Sequence, residues 1–378
     1  MKKTFAEFFA GIGLMRLGLE QQGWHGVWAN DIDPKKVEMY YAAFENCHID
    51  YAVKDVYHVR PTEVPTTLMA TASFPCTDLS LAGNRAGMKG AQSSAFWGFL
   101  KVLTEMDGRR PPIVLLENVP GLITSHGGKD FFKVIEALND LHYACDAFAL
   151  DALHFLPQSR QRVFVLAMRD APTTPDPISF LRERHTDLKN KHLTEFIEAY
   201  PHLRWSMRDV PPPPAKMTGG LSAVLERLPA HDPRWWSSER VEYLVSQMSQ
   251  LHRPLADEVT NGPRVQYGTV YRRVRDGQSR AELRLDDIAG CLRTPRGGSS
   301  RQIVFTAGRG RRKARFMTPR EYAILMGAPG YPINVPPNQA YFGFGDAVAV
   351  PVINWVAEHV LNPLVREMTV EAGIAATN

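Results

Sequence analysis

Over its first 170 residues the chain alternates short apolar runs with helical stretches, and this order constrains the fold more than any other feature. Alternation of this kind is typical of βαβ units built around a parallel sheet. The pattern predicts an α/β fold with a mostly parallel, doubly wound sheet. The predicted strands are Thr4–Ala10, Val27–Asp31, Thr67–Ser73, Ile113–Glu117 and Val163–Met168, and the predicted helices are Leu14–Gln22, Lys35–Ala43 and Phe131–Leu141.

The composition of the sequence changes near Asp170, where prolines become frequent. Ala171–Pro177 holds three prolines, and Pro211–Pro214 is a tetraproline that can be neither helix nor central strand. Residues 171–314 are rich in Arg, Gly and Pro, which predicts a second, loop-rich and irregular domain. We expect the pair Trp235 and Trp236 to belong to its core. Helical patterns return at Thr318 and over Val348–Val360.

Composition excludes several classes of protein. Of the 378 residues, 44% are hydrophobic and 22% are charged, which excludes a disordered, collagen-like or small disulfide-rich chain. No uninterrupted apolar run is long enough for a spanning helix, and the N-terminus resembles that of a mature cytoplasmic protein. We therefore expect a cytoplasmic protein without membrane attachment. The net charge is +4, but residues 261–315 carry 14 basic and 4 acidic side chains, a candidate polyanion-binding surface or a solvated face.

Four cysteines are widely spaced, without a C-x-x-C pair, so neither a disulfide framework nor a metal site is predicted. Cys76 follows a predicted strand at the carboxyl edge of the sheet. A cysteine there is a candidate nucleophile if nearby positive charge stabilises its thiolate, and otherwise a buried, unreactive residue. Cys47, Cys145 and Cys291 are interpreted as unreactive.

A glycine turn, Phe9-Ala10-Gly11-Ile12-Gly13, lies between the first strand and the first helix. Such glycines let the backbone approach a ligand whose polar end uses the free N–H groups of the helix. Asp31 ends the next strand, where an acid could bind the ribose hydroxyls. The third glycine of a dinucleotide fingerprint is missing, so a nucleoside without a pyrophosphate, such as S-adenosylmethionine, fits better. A merely tight turn is the alternative.

Glu117 ends an apolar strand, and burial favours the protonated form of a carboxyl group, so it is a candidate proton donor or a turn-stabilising acid. Gln158-Ser159-Arg160-Gln161-Arg162 leads into a later strand. Strand alternation would point Arg160 and Arg162 to the same side, where they could hold a carbonyl-bearing ligand. A pair of surface arginines is the alternative. Together, a thiol, a carboxylate and two arginines beside a nucleoside turn are suited to methylating a pyrimidine carbon.

With these segments the chain resembles the DNA (cytosine-5) methyltransferases. The resemblance runs in order along nearly the whole chain and resumes after the irregular segment. It rests on Phe9–Gly13, Asn30–Asp33, Lys54–Val56, Phe74–Cys76, Glu117–Val119, Gln158–Arg162, Arg315–Glu321, Met326–Pro329 and Phe344–Val348.

The resemblance implies a covalent mechanism on a flipped-out cytosine. Cys76 would attack C6, Glu117 would protonate or hydrogen-bond N3, Arg162 would contact the base carbonyl and Arg160 would support it. The implied methyl donor is S-adenosylmethionine, leaving S-adenosylhomocysteine, with no metal. The implied cofactor-binding residues are Phe9, Ala10, Gly11, Ile12, Gly13, Asp31, Ile32, Asp55, Val56, Pro75, Asp346 and Val348.

The segment Leu150–Pro157 and three single positions depart from the family pattern. Asp31 replaces a longer glutamate, Asp346 replaces an asparagine, and Thr77 follows the cysteine where glutamine is frequent. None of these changes removes a group from the predicted chemistry. They bear instead on the affinity for the cofactor.

The resemblance also implies a Rossmann-like catalytic domain at 1–170 and 315–378, and a target-recognition domain at 171–314. The implied partner is double-stranded DNA, with a separate restriction endonuclease as a possible companion and a monomer as the expected state. The candidate DNA contacts are Arg272, Arg273, Arg275, Arg293, Arg296, Ser299, Ser300 and Arg301.

Two other functions are compatible with the same residues. Some members of the family methylate cytosine in transfer RNA, although the full-sized basic segment favours DNA. A relative that binds DNA but has lost catalysis, through Asp346 for example, is the second alternative.

Overall fold

The computed structural model describes residues 1–44, 49–75, 95–275, 277–295 and 301–377. Within this part of the chain, the strands form one sheet of seven and one sheet of four. The strands are β1 (Thr4–Phe8), β2 (His25–Asp31), β3 (Asp50–Val53), β4 (Met69–Ala72), β5 (Ile113–Asn118), β6 (Tyr143–Asp151), β7 (Gln161–Arg169), β8 (Gln266–Arg275), β9 (Gln278–Arg284), β10 (Ile303–Gly308) and β11 (Arg311–Phe316).

Helices connect most of the strands of the large sheet, and some of the helices begin with a capping side chain. Asp33 caps the helix that starts at Pro34, and Thr318 with Glu321 forms a capping box. The helices are α1 (Leu14–Glu20), α2 (Pro34–Ala43), α3 (Ala95–Met106), α4 (Gly121–Thr124), α5 (Lys129–Asp140), α6 (Pro177–Glu183), α7 (Lys191–Ala199), α8 (Leu221–Val224), α9 (Ser238–Ser246), α10 (His252–Asn261), α11 (Pro319–Leu325), α12 (Pro337–Asp346), α13 (Val350–Val356) and α14 (Asn362–Thr377).

The seven-stranded sheet has the order β3-β2-β1-β4-β5-β7-β6. Strands β1 to β5 are parallel, whereas β7 is antiparallel to both of its neighbours. The predicted α/β fold with a mostly parallel sheet is confirmed. The carboxyl ends of five parallel strands therefore share one edge, and the antiparallel β7 begins at that edge. This arrangement positions the candidate site.

Both faces of the large sheet are covered. On one face Phe8, Val114 and Leu116 pack with helices α3 and α5 in the main core cluster. On the other face Ala29 packs with Val37 and Tyr40 of α2. Buried strands of this kind read as continuous apolar runs, which explains why the sequence predicted them well.

The four-stranded sheet is antiparallel, in the order β11-β10-β8-β9. Helices α9 and α10 pack on it through Val241, Leu244 and Val259. The segment that we predicted to be irregular is therefore more regular than expected. Strands β8, β9 and β11 carry many arginines, so they do not appear as apolar runs in the sequence.

Backbone contacts divide the chain into two compact units. We call them the large unit (Met1–Asp151, Gln161–Pro213 and Val352–Asn378) and the small unit (Ala152–Arg160 and Pro214–Pro351). The predicted domain boundary after residue 314 falls inside strand β11, and β11 pairs with β10 of the same sheet. Likewise, Trp205 bridges to Cys145 of β6. The assignment of catalysis to 1–170 and 315–378, and of recognition to 171–314, stays a prediction about function.

The stretch Pro337–Val370 is apolar and long enough to cross a membrane by length and composition alone. The helix is interrupted between Asp346 and Val350, and 67% of its most apolar window is buried within the protein. This burial is typical of core helices.

Candidate active site

The predicted glycine turn follows β1 and has an unusual backbone. Phe9 and Gly11 both have φ of +57°, and Gly13 has φ of +79°. Glycine adopts this left-handed region freely, whereas a residue such as Phe9 does so at a cost. The Ala10 N–H donates to Asn30 O at 2.8 Å, and the Tyr51 hydroxyl donates to Gly11 O at 3.1 Å. Hydrogen bonds thus hold the turn against strands β2 and β3.

Asp31 closes the same turn. Its Oδ2 accepts the Gly11 N–H at 2.9 Å, and its Oδ1 accepts the Asp33 N–H at 2.9 Å. The side chain is buried, so the carboxylate lies within the turn. The shorter aspartate has a clear structural use here, because it reaches the backbone of the turn.

The residues around this turn fit a nucleoside ligand. Ile32, beside Asp31, is 65% exposed, an apolar surface that a flat base could cover. Asp55 is half-buried and accepts the Tyr57 N–H at 3.0 Å, which leaves further acceptor capacity on its carboxylate. Ala10, Ile12 and Val56 are buried, so their side chains serve the core and only their backbone could meet a ligand.

Glu117 and Arg162 lie together at the carboxyl edge of the large sheet. Arg162 Nε is 2.8 Å from Glu117 Oε1, and their side chains are 13% and 7% exposed. Because β7 is antiparallel to β5, its first residues lie beside the last residues of β5. The pairing brings the second residue of β7 to the carboxylate that ends β5. Such a buried, charge-assisted pair is held in one geometry.

Asn118, at the end of β5, forms a hydrogen bond to the segment that follows β4. Its Nδ2 donates to Phe74 O at 2.9 Å, and its Oδ1 accepts the Val119 N–H at 2.8 Å. Pro75 is exposed at the end of this segment. The ends of β4 and β5 are therefore joined by a side chain whose role the sequence did not reveal, although it stands in the quoted Glu117–Val119 motif.

Four predicted site residues lie outside the described residues. They are the predicted nucleophile Cys76 and the predicted DNA contacts Arg296, Ser299 and Ser300. Cys47 lies outside them too. Of the other cysteines, Cys145 is fully buried, and burial raises the pKa of its thiol well above the ordinary range. Cys291 is half-buried.

Arg160 belongs to the small unit, and its guanidinium group donates hydrogen bonds to backbone carbonyl groups of that unit. It donates to Leu292 O at 2.8 Å, to Gly345 O at 3.2 Å and to Ala347 O at 2.5 Å. The alternation that we expected for Arg160 and Arg162 does not apply, because β7 begins only at Gln161. Arg160 thereby joins the segment at Leu292 to the end of α12.

The end of α12 carries the last two predicted cofactor residues. Asp346 is exposed and ends the helix, whereas Val348 is buried. A Cβ atom on Gly345 would lie 2.6 Å from the backbone of Arg293 and Thr294. Glycine is required at this point because the two backbones approach so closely.

Two of the predicted DNA contacts, Arg273 and Arg293, lie beside Tyr271 of β8. The guanidinium carbons of Arg273 and Arg293 each lie 5.2 Å from the centre of the Tyr271 ring. Arg273 also lies 3.3 Å from the carboxylate of Glu282. Arg272 is half-buried on the same strand. Arg275 ends β8, and Arg301 is described below with the cleft of the small unit.

Trp236 packs against the core of the small unit, as predicted, and both Trp235 and Trp236 are half-buried and line a cleft of that unit. Both follow a Pro-containing loop instead of a strand or helix, and a loop places large apolar side chains at the surface of a core. Within the described part of the chain, no group of three or more His, Cys, Asp or Glu side chains could hold a metal ion.

Comparison with known proteins identifies the family. The family model described as C-5 cytosine-specific DNA methylase matches residues 3–362. The Type II methyltransferase M.Bsp6I of Bacillus sp. (strain RFL6) is 27% identical over 360 residues, which cover 94% of this chain and 97% of that protein. The Type II methyltransferase M.HhaI of Haemophilus parahaemolyticus is 25% identical over 359 residues, covering 94% and 93%.

A solved structure shares the fold. The Dnmt2 methyltransferase of S. pombe superposes with a TM-score of 0.60 at 18% identity, over 96% of this chain and 99% of that one. At this identity the likeness concerns the fold. The family match spans both units and includes the turn after β1 and the Glu117–Arg162 pair. We conclude that the chain belongs to the C-5 cytosine-specific DNA methylase family and is a methyltransferase of that class.

Proposed function

We propose that the protein transfers a methyl group from S-adenosylmethionine to C5 of a cytosine that is flipped out of double-stranded DNA. The observation that carries this proposal is the Glu117–Arg162 ion pair of 2.8 Å at the edge where the strands of the large sheet end. The family match supports DNA cytosine methylation. The covalent route, the flipped base and the cofactor are our proposal.

The chemical problem is that cytosine C5 is a poor nucleophile. In the proposed mechanism, the thiolate of Cys76 adds to C6, the electron pair of the C5–C6 double bond moves to the C4–C5 bond, and that of the C4–N3 double bond moves to N3. Glu117 donates a proton or a hydrogen bond to N3 and so stabilises this charge. Arg162 fixes the Glu117 carboxyl group and donates to the base carbonyl. Once C5 carries the methyl group, N3 returns its proton to Glu117 and solvent takes the proton from C5. The electron pair of that C–H bond re-forms the C5–C6 double bond as the C6–S bond breaks, which releases the Cys76 thiolate and restores the aromatic ring.

The cofactor would lie against the turn after β1. Ile32 would cover the adenine with Phe9, Asp31 would face the ribose hydroxyls, and Asp55 would accept from the adenine amino group. When bound, S-adenosylmethionine supplies an electrophilic methyl group on a sulfonium centre. Both Asp31 oxygens already accept a backbone N–H, so any ribose contact would use their remaining lone pairs.

Two further statements belong to the proposal. The Type II names of the relatives support a role beside a restriction endonuclease that acts separately. We also propose that the protein works as a cytoplasmic monomer, since one chain carries every motif of the family. Unstacking the target base costs a few kcal/mol, which contacts between arginines and phosphates would offset.

Trapping of the covalent adduct tests this proposal. DNA containing 5-fluorocytosine cannot lose the substituent at C5, so an adduct that survives denaturation should accumulate in the presence of cofactor. We expect this adduct in the wild type and in Cys291→Ala, which changes a half-buried thiol, and none in Cys76→Ala. An adduct that persists in Cys76→Ala, or that forms on transfer RNA and not on DNA, would contradict the proposal.

A further inference from the structure

The small unit contains a cleft of about 790 Å³ that the predicted DNA contacts do not explain. Four aromatic residues line it, and three of them are Trp236, Phe316 and Tyr341. Two arginines, Arg240 and Arg301, lie against these rings. Of these five residues, only Arg301 was among the predicted DNA contacts.

The aromatic rings hold both guanidinium groups. Arg240 lies 3.9 Å from the centre of the Trp236 ring and 5.4 Å from that of Phe316. Arg301 lies 5.2 Å from Phe316 and 5.0 Å from Tyr341, and it donates to Asn338. A guanidinium group stacked on a ring keeps its N–H edge available for an anion. Both cations share Phe316, so they belong to one site.

The positive charge of this site is not balanced by acids within the described residues. Glu226 is the one acid among the lining residues, and its carboxylate accepts from Thr318 Oγ1 at 2.6 Å and from Arg234 Nη1 at 2.8 Å. Neither Arg240 nor Arg301 forms an ion pair with a carboxylate in the part of the chain that the structure describes. Burial and then the nearby Arg272 guanidinium lower the pKa of Arg240. An anion at this place would relieve that repulsion.

We propose that this cleft binds a nucleotide, with its phosphate on Arg240 and Arg301 and its base against the aromatic rings. The ligand class follows from the lining, because arginines without a carboxylate partner recognise a phosphate and aromatic faces recognise a planar base. The source would be either an unstacked nucleotide of DNA or a free nucleotide. The inference goes beyond the proposed function, since no residue proposed for catalysis takes part in it.

Photocross-linking with 5-iodo-2′-deoxyuridine 5′-monophosphate tests the site. The protein is first saturated with S-adenosylhomocysteine, so that the probe does not enter the proposed cofactor site. We expect a cross-linked peptide that carries Trp236, Phe316 or Tyr341. In Arg240→Gln the yield should fall about tenfold or more, as expected for a lost hydrogen bond between charged groups. Arg311→Gln removes the same charge at an exposed position and should match the wild type.

Competition identifies the ligand. Thymidine 5′-monophosphate should suppress the cross-link, whereas equal concentrations of thymidine or inorganic phosphate should not. Suppression by phosphate alone, a cross-link elsewhere, or equal yields in Arg240→Gln and Arg311→Gln would overturn the inference. A duplex with one unpaired thymidine that competes better than a fully paired duplex indicates DNA as the source. Competition by the mononucleotide alone indicates a free nucleotide.

Further measurements distinguish the loss of nucleotide binding from unfolding of the variant and from failure of the proposed function. The midpoint of thermal unfolding shows whether Arg240→Gln is folded, and Arg240→Lys, which keeps the charge but loses the planar fork, should give an intermediate cross-link yield. Methyl transfer to DNA by the wild type is measured independently. If the cross-linking experiment contradicts the cleft proposal, methyl transfer by the wild type can still be observed, and the proposed function then stands.

Discussion

The carboxylate of Asp31 shows how one side chain can shape a ligand site before any ligand binds. Each of its oxygens accepts a backbone N–H, from Gly11 and from Asp33, at 2.9 Å. Because the carboxylate is buried, these bonds are formed away from competing water. The side chain therefore holds the turn after β1 in the conformation that the proposed cofactor would meet.

We expect Asp31→Asn to weaken both the fold and the proposed cofactor site. The amide keeps one oxygen, and its NH₂ group would face a backbone N–H, so one buried donor loses its acceptor. The free energy of unfolding should fall by about 1–3 kcal/mol, and S-adenosylmethionine should bind more weakly. Denaturant unfolding and calorimetric titration measure the two effects.

Asp33→Asn is the matched control for this change. Asp33 is a half-buried helix cap whose Oδ1 accepts the Lys35 N–H at 2.9 Å, and asparagine caps a helix equally well. It should leave both measurements close to those of the wild type. Equal effects of the two substitutions would contradict the role that we assign to Asp31.

At the scale of elements, the turn between β1 and α1 depends on glycine at position 13. Gly13 has φ of +79°, and a Cβ atom there would lie 2.5 Å from the Phe44 ring and 2.8 Å from the Tyr40 ring. The turn and helix α2 are therefore packed in direct contact. No other residue type fits both the dihedral angle and the space.

Gly13→Ala should accordingly destabilise the protein by about 1–3 kcal/mol or more, since backbone strain and steric overlap add. The binding of S-adenosylmethionine should weaken as well, because the turn must shift. Gly108→Ala is the control, since nothing lies within 4 Å of the added Cβ and no positive φ is involved. Thermal unfolding of the two variants makes the comparison, and equal midpoints would contradict the packing argument.

Elements also explain why Arg162 meets Glu117 and Arg160 does not. Glu117 and Arg162 stand at strand ends, and the antiparallel pairing of β5 with β7 brings them together. Arg160 lies one residue before β7 begins, so the alternation of a strand does not govern its direction. A sequence pattern predicts side-chain direction only inside a regular element.

At the scale of the whole molecule, the central sheet carries a buried acid that should make stability depend on pH. Glu7 of β1 is 2% exposed, and its Oε2 accepts the Tyr40 hydroxyl at 3.5 Å. Burial raises the pKa of Glu7 from 4.5 to about 8, against the opposing charge of Arg16. The folded protein thus retains a proton that the unfolded chain has lost between these two values.

The sign of the effect follows from this difference in bound protons. The stability from protonated Glu7 is complete below about pH 4.5 and is lost as the pH rises to about 8. We expect the free energy of unfolding of the wild type, relative to Glu7→Gln, to decrease across this range. Urea unfolding at several pH values measures it. Glu136→Gln, at an exposed position of α5, should follow the wild type, and a Glu7→Gln variant that does so too would contradict this prediction.

By itself, the sequence determined the α/β class, the order of the motifs and the positions of Asp31, Glu117 and Arg162 at strand ends. These features are local, because apolar runs, glycines and capping residues define where strands and helices begin and end. The resemblance to the family followed from the same ordered motifs, and the family match confirms it.

The tertiary structure alone decided which groups these side chains contact. It directed Asp31 to the turn, Arg160 to carbonyls of the small unit, and Trp236 to a cleft beside the core of that unit. Each of these contacts joins residues that are far apart in the sequence or lie outside regular elements. The physical reason is that a hydrogen bond or ring contact depends on long-range packing, and the local periodicity of the sequence carries no information about that packing.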